Sequence, residues 1–332
     1  MYNKGIIMYL GGIVRMICFK CIGGIGNQMF VYAAARAFQL KQKEKVILVY
    51  EQHKKNSDSY PYDLTALNIN RDLLNTDITF ENVIKKWKVE KIFALMSRKV
   101  VPRIKRLGIK AEKVIMKIMQ PLWNIGGCYH VGYMVQWPMK IRLTKNMICE
   151  GYFQSSIYFS DYKKIIQQEL RVKEGVFDVN KELIELVRGC ESICVHVRRG
   201  DYTIYKEHLV CTVNYYQKAL EFMQSLHLNA TYFVFSDDIE WTKQNISWPE
   251  NTIFAEELRN VVQKDVDYKN PFIDLQVMYE CKHFIISNSS FSWWAQFLAQ
   301  NSEKIVVAPD RWLKNHVIED IYEDFWKLIE VE

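Results

Sequence analysis

The chain has 332 residues, 49% of them hydrophobic and 25% charged. That balance excludes a disordered tail and a small cysteine-stapled module, and the length points to two domains rather than one. The formal charge of +6 is unevenly placed: twelve Lys or Arg face two acids between Lys85 and Lys117, a local +10, so the remainder carries −4.

The first ten-residue apolar run, "GIIMYLGGIV", stops at Arg15. A membrane span needs about twenty such residues, so this run does not cross. Residues 1–15 read as an extension, and Met16 opens the first strand, "MICFKCI". Cys18 and Cys21 lie three apart on that strand and face opposite ways, which argues against a shared metal. The eight cysteines read as reduced, mostly buried thiols, and the cytoplasm follows from that.

After the strand comes a glycine turn, Gly23-Gly24-Ile25-Gly26-Asn27-Gln28, and then a helix from Met29 to Leu40. The turn is neither the dinucleotide fingerprint nor a P-loop, since a third spaced glycine and a following Lys-Ser/Thr are both missing. A second strand, "KVILVY", precedes the basic stretch. There Val83, Ile84, Trp87, Ile92, Leu95, Met96, Ile104 and Leu107 recur at helical spacing, which predicts helices with basic outer faces. Such helices suit phosphate, an anionic membrane surface or plain solvent.

From residue 147 onward strands and helices alternate. "MICEGYFQS" is a strand entering a turn, "DYKKIIQQELRV" a helix, and "SICVHV", "TYFVFS", "NTIFA", "HFIIS" and "KIVVAP" are short apolar strands separated by helices. A final helix is expected from Glu319 to Ile329. The fold class is therefore α/β, with parallel sheets covered on both faces and ligands beyond the strands' carboxyl ends.

Three of those strand ends carry chemistry. After "SICVHV" come Arg198, Arg199, Gly200, Asp201 and Tyr202, with His196 two residues earlier on the same strand face. An arginine there can fork onto phosphate oxygens. After "TYFVFS" come Asp237 and Asp238, acceptors for guanine N–H groups or ribose hydroxyls, or a helix cap. After "HFIIS" come Asn288, Ser289, Ser290, Phe291 and Ser292, a helix start that can receive an anion. Arginine, aspartate and a serine-rich helix start on one sheet edge describe a nucleotide-diphosphate site. Two other classes stay open. Asp265-Val266-Asp267 fits the metal-binding triplet of a GT-A enzyme by letter, and the basic stretch with its aromatics fits a nucleic-acid binder.

"GGIGNQMF", "GYFQSSIYF", "HVRRGDY", "VFSDDIEW", "DLQVM", "SNSSFSWW" and "VVAPDRW", in that order, resemble the motif series of the bacterial α-1,2-fucosyltransferases of glycosyltransferase family 11. The resemblance implies a GT-B-like fold of two facing Rossmann-like domains: residues 16–150 with a basic helical insertion at 83–119, and 151–332, whose final helix packs back on the first. It implies GDP-fucose as donor, a galactose-terminated acceptor, inversion at the anomeric carbon, and no metal and no nucleic acid. An α-1,6-type linkage stays the alternative. Carried onto this chain, Arg198 holds the β-phosphate, His196 and Asp237 hold guanosine, and Ser289, Ser290 and Phe291 meet the diphosphate. Asn27 faces the fucose from the first domain, and Gly26, Gln28, Arg199 and Asp238 complete the donor-binding set. For the general base, Glu150, Asp201, Glu207 and His208 are candidates, with His208 preferred and Asp201 weakened by its arginine neighbours.

Overall fold

The computed structural model describes residues 16–50, 64–74, 80–87, 95, 99–106, 109–125, 127–130, 146–177, 181–255, 257, 270–314 and 319–331. The expected extension 1–15, the positions Ile92, Met96 and Leu107, and the Asp265-Val266-Asp267 triplet lie outside them.

Strand β1 (Met16–Cys21) alternates its side chains between two layers. Ile17 and Phe19 enter the main core, while Cys18 joins Ile47, Val49 and Ile148 in a smaller cluster on the other face. Helix α1 (Ile25–Gln42) is buried over most of its surface. It lies between the first sheet and a helix of the second, so it is apolar nearly all round. It ends at Lys43, whose φ of 56° closes it in the left-handed conformation. Strand β2 (Lys45–Tyr50) follows, then helices α2 (Phe80–Lys86), α3 (Val101–Lys105) and α4 (Ile109–Ile125), and strands β3 (Cys128–His130) and β4 (Met147–Glu150). These strands form a parallel sheet in the order β2-β1-β4-β3.

The second sheet has six parallel strands, in the order β10-β9-β8-β5-β6-β7. They are β5 (Ser192–Val197), β6 (Thr231–Ser236), β7 (Thr252–Phe254), β8 (His283–Ile285), β9 (Val306–Pro309) and β10 (Lys327–Ile329). Helices α5 (Lys163–Glu169) and α6 (Lys181–Gly189) precede it, and α7 (Val213–Leu226), α8 (Ile239–Asn245), α9 (Pro271–Met278) and α10 (Ser290–Leu298) join its strands. The parallel α/β sheets expected from the alternating pattern are present, in the two-sheet, GT-B-like arrangement that the resemblance implies.

One core spans both sheets. Phe30 of α1 packs on Trp293 and Trp294 of α10, with ring centroids 4.6 and 4.8 Å apart. Helix α5 ties the two sides together. Its Glu169 takes the Tyr32 hydroxyl and the Arg36 guanidinium of α1, while Gln167 donates to the Phe297 carbonyl of α10.

The C-terminus departs from the expected helix over 319–329. Glu319–Ile321 is a single 3-10 turn, and β10 pairs in parallel with β9. Asp310 fixes that pairing: its amide donates to the Ile329 carbonyl at 2.9 Å, and its Oδ1 accepts the Val331 amide at 3.1 Å. The outer edge of β9 carries backbone donors and acceptors that need partners, and meeting them outweighs the helical spacing of the segment. Helix α6 and strand β3 were not anticipated from the sequence; the first is two turns long and the second three residues.

Candidate active site

Where the chain reverses its direction of travel across a parallel sheet, the loops on either side of that point diverge to leave a crevice. In the second sheet it lies between β5 and β8. The β5 loop carries Arg198 to Tyr202, and the β8 loop carries Asn288 to Phe291. In the first sheet β1 and β4 are the two central, directly paired strands, so the loops at their carboxyl ends lie side by side. The glycine turn follows β1, and Gly151 to Gln154 follow β4. The motifs that stood out in the sequence are therefore loops at the reversal point of the second sheet and after the central strands of the first.

The crevices meet. Trp294 Nε1 donates to the Gly26 carbonyl at 2.9 Å. A methyl group placed on Gly26 would lie 2.6 Å from Ser290 Oγ and 2.7 Å from the Phe291 amide nitrogen. Only a residue without a side chain allows that approach. Asn27 accepts from Gln154 Nε2 at 2.6 Å, joining the two loops of the first sheet. Gln28 folds back onto its own turn, donating to the Gly23 carbonyl at 3.0 Å, and is buried.

In the second sheet, Arg198 is held at both ends of its fork. Nη2 donates to Asp201 Oδ1 at 2.7 Å, and Nη1 lies 2.9 Å from Asp237 Oδ2. Burial opposes its charge, but the two carboxylates outweigh burial and raise its pKa above the usual arginine value. Arg199 pairs with Asp238 at 3.2 Å and stacks on Trp241, 3.5 Å from the ring centroid. Its amide donates to Asp237 Oδ1 at 2.8 Å. Asp238 also caps α8, its Oδ1 accepting the Trp241 amide. The capping reading thus holds for Asp238, and Asp237 is tied to Arg198 and to the Arg199 amide.

His196 is buried beneath Phe291, with ring centroids 5.7 Å apart and Nδ1 3.0 Å from Ser287 Oγ. Burial, with Arg198 nearby, lowers its pKa to about 3, so the ring is neutral. Ser289 caps α10 by accepting the Phe291 amide at 3.3 Å, while Ser290 and Phe291 stay partly exposed at the helix start. His208 lies on the arginine loop against Tyr202, with ring centroids 5.1 Å apart.

Three contributors have roles that the sequence did not show. Asn288 donates to the carbonyls of His208 and Trp312 at 2.8 and 2.9 Å, and its own carbonyl accepts the Tyr202 hydroxyl at 3.1 Å. It fastens the β5, β8 and β9 loops together. Gln154 and Trp241 are the others. All three sit inside quoted motifs, but only their partners reveal their roles.

Glu150 of β4 lies 3.1 Å from Lys20 and 3.3 Å from His130, a row across three adjacent strands. Burial opposes its charge, yet these partners hold its pKa below the usual carboxylate value. Among the described residues, one group has metal-ligand spacing: Glu191, His227 and His283. It sits at the amino ends of β5 and β8, away from the crevice. The Ile305 amide donates to His283 Nδ1, so the ring proton is on Nε2, which donates to Glu191 at 2.8 Å. Lys282 holds the other Glu191 oxygen at 3.1 Å. A cation would have to displace both.

Paired parallel sheets with facing crevices make the architecture of a glycosyltransferase of the GT-B-like kind. The family model for glycosyl transferase family 11 matches residues 16–330, and the chain belongs to that family. It is 28% identical to an α-1,2-colitosyltransferase of Escherichia coli, over 91% of this chain and 93% of that one. It is 26% identical to the O-antigen biosynthesis glycosyltransferase WbnK of Escherichia coli, over 93% and 99%. Among solved structures, the fucosyltransferase NodZ from Bradyrhizobium superposes with a TM-score of 0.45 and 14% identity, over 87% and 94% of the two chains.

Proposed function

We propose that the protein transfers L-fucose from GDP-fucose, with inversion, to a hydroxyl of a galactoside within a glycan, forming an α-1,2 linkage. The observation that carries this reading is the convergence of Arg198, the α10 start and Gly26 on one crevice within a family 11 chain. In the reaction the acceptor oxygen bonds to fucose C1 as the bond from C1 to the β-phosphate oxygen breaks. GDP departs with the bonding pair, and a base takes the hydroxyl proton. Charge grows on the β-phosphate, so a guanidinium already fixed in place helps the transition state most.

For the base, His208 is the proposed residue, because Asp201 is engaged by Arg198, Glu150 by Lys20 and His130, and Glu207 is exposed while His208 is half-buried. Asp237, His196 and the Ser289–Phe291 start are proposed to hold the nucleotide, and Asn27 to face the sugar. We place the division between acceptor and donor domains at 150/151, where β4 ends. Eight free cysteines, seven of them buried, support a cytoplasmic setting.

A second reading keeps the linkage and changes the sugar, since the first of those relatives is named a colitosyltransferase. Full-length protein incubated with GDP-fucose or a colitosyl donor and a panel of β-galactosides, with product linkage read by NMR, separates the two. Turnover of the colitosyl donor alone, or a linkage other than α-1,2, sinks the first reading.

A further inference from the structure

Helix α4 carries two separate apolar lines. One, with Ile115, Met119 and Trp123, packs with Val101, Ile104 and Cys128 in a small core. On the other, Val114, Ile118 and Ile125 are 58%, 68% and 70% exposed, and Pro121 is exposed between them. Positions 114, 118, 121 and 125 follow the i, i+4, i+7, i+11 repeat, so they form one line along the helix. A line of open aliphatic side chains of this length marks a surface with a partner.

The charge around it says what kind. Lys117 on the same helix is exposed, as are Lys99, Arg103 and Arg106 on and beside α3, which packs against α4. They belong to the +10 stretch of the sequence. A second copy of this chain would bring the same positive charge against itself across a two-fold interface. A nucleic acid would meet the charge and leave the aliphatic line in water. An anionic bilayer meets both, taking the aliphatic line into the headgroup–acyl boundary and the bases at the phosphate level. No helix among the described residues is long and apolar enough to cross a membrane.

We propose that α4 is an interfacial docking helix that seats the enzyme on an anionic lipid surface through Val114, Ile118 and Ile125, with the surrounding Lys and Arg as its electrostatic collar. The inference does not depend on which sugar is transferred. Docking of this kind would hold the crevice near acceptors that are themselves lipid-anchored.

The test is co-sedimentation of the full chain with vesicles of phosphatidylcholine alone or mixed with phosphatidylglycerol. Wild type is expected on the mixed vesicles, with less on phosphatidylcholine. Lys99→Glu with Arg103→Glu should weaken binding to mixed vesicles by roughly tenfold or more. Ile118→Glu with Ile125→Glu should weaken it as much, and the remainder should then vanish in about 1 M salt, where the screening length is ~3 Å. Neither pair should change transfer to a soluble galactoside. Three outcomes overturn the proposal: wild type staying in solution with mixed vesicles at low salt, the isoleucine pair binding like wild type, or a wild-type dimer in solution that the isoleucine pair turns to monomer.

Discussion

In the proposed reaction most of the chemistry rests on Arg198, and its carboxylate partners make its geometry testable. Asp201 and Asp237 take one nitrogen each, so the plane of the guanidinium is set before any donor arrives. Lysine would keep the charge and lose the fork. Arg198→Lys should cost roughly 3 kcal/mol of transition-state stabilisation, about a hundredfold in kcat. Circular dichroism should stay unchanged. Activity within a factor of two of wild type would remove Arg198 from the leaving-group role. His196 makes a different prediction, in stability. Its pKa falls from 6.5 in the unfolded chain to about 3 in the folded one. Below pH 6.5 the unfolded chain takes up a proton that the native chain refuses, so this contribution is full above 6.5 and is lost as pH falls towards 3. The slope is at most about 1.4 kcal/mol per pH unit. His196→Gln should therefore lose less stability than wild type between pH 7 and pH 5, measured by urea unfolding. Parallel curves for the two proteins would mean that the ring accepts a proton while folded.

At the scale of elements, the packing of α1 on α10 decides whether the two crevices face each other, and Gly26 controls it. In an ordinary helix, alanine in place of glycine gains up to about 1 kcal/mol. Here the new methyl group would press on Ser290 Oγ and on the Phe291 backbone, which cannot swing aside. Overpacking of that kind costs about 1–3 kcal/mol and should win. Gly26→Ala should lower Tm and weaken GDP binding together, because the shifted group is the α10 start. Gly189→Ala is the control, since nothing lies within 4 Å of its added methyl. Equal behaviour of the two variants would show that the contact is soft. The same elements show what a sequence can reveal. Strands β5, β6, β8 and β9 were legible because each is a short apolar run closed by polar loop residues. The segment 319–329 misled because its apolar residues also fit helical spacing, while the reason for its strand is Asp310 and the open edge of β9, distant in sequence. The site was legible as motifs, since Arg198, Asp237 and Ser289 each follow a strand. Its internal wiring was not: Asn288 reaches His208 and Trp312 across 80 and 24 positions.

For the whole molecule, the distribution of charged groups separates two places where a cation could matter. In the crevice, Arg198 and Arg199 stand against Asp201, Asp237 and Asp238, which could seem a carboxylate nest awaiting a metal. The hydrogen bonds argue otherwise. Asp237 gives one oxygen to Arg198 and the other to the Arg199 amide, and Asp238 gives one to Arg199 and one to the α8 amide. With these oxygens committed, the proposed diphosphate would be met by the guanidinium N–H groups and the amides of the α10 start. The second place, Glu191 with His227 and His283, has metal-ligand spacing but lies at the amino ends of β5 and β8. Excess EDTA should therefore leave turnover of GDP-fucose nearly unchanged. If a cation does occupy the Glu191 group in the purified protein, chelation should lower Tm, and Glu191→Gln should abolish that change in Tm without altering kcat. Loss of activity in EDTA with recovery on Mn²⁺ would place a cation at the diphosphate. The carboxylates around Arg198 would then have to rearrange when the donor binds.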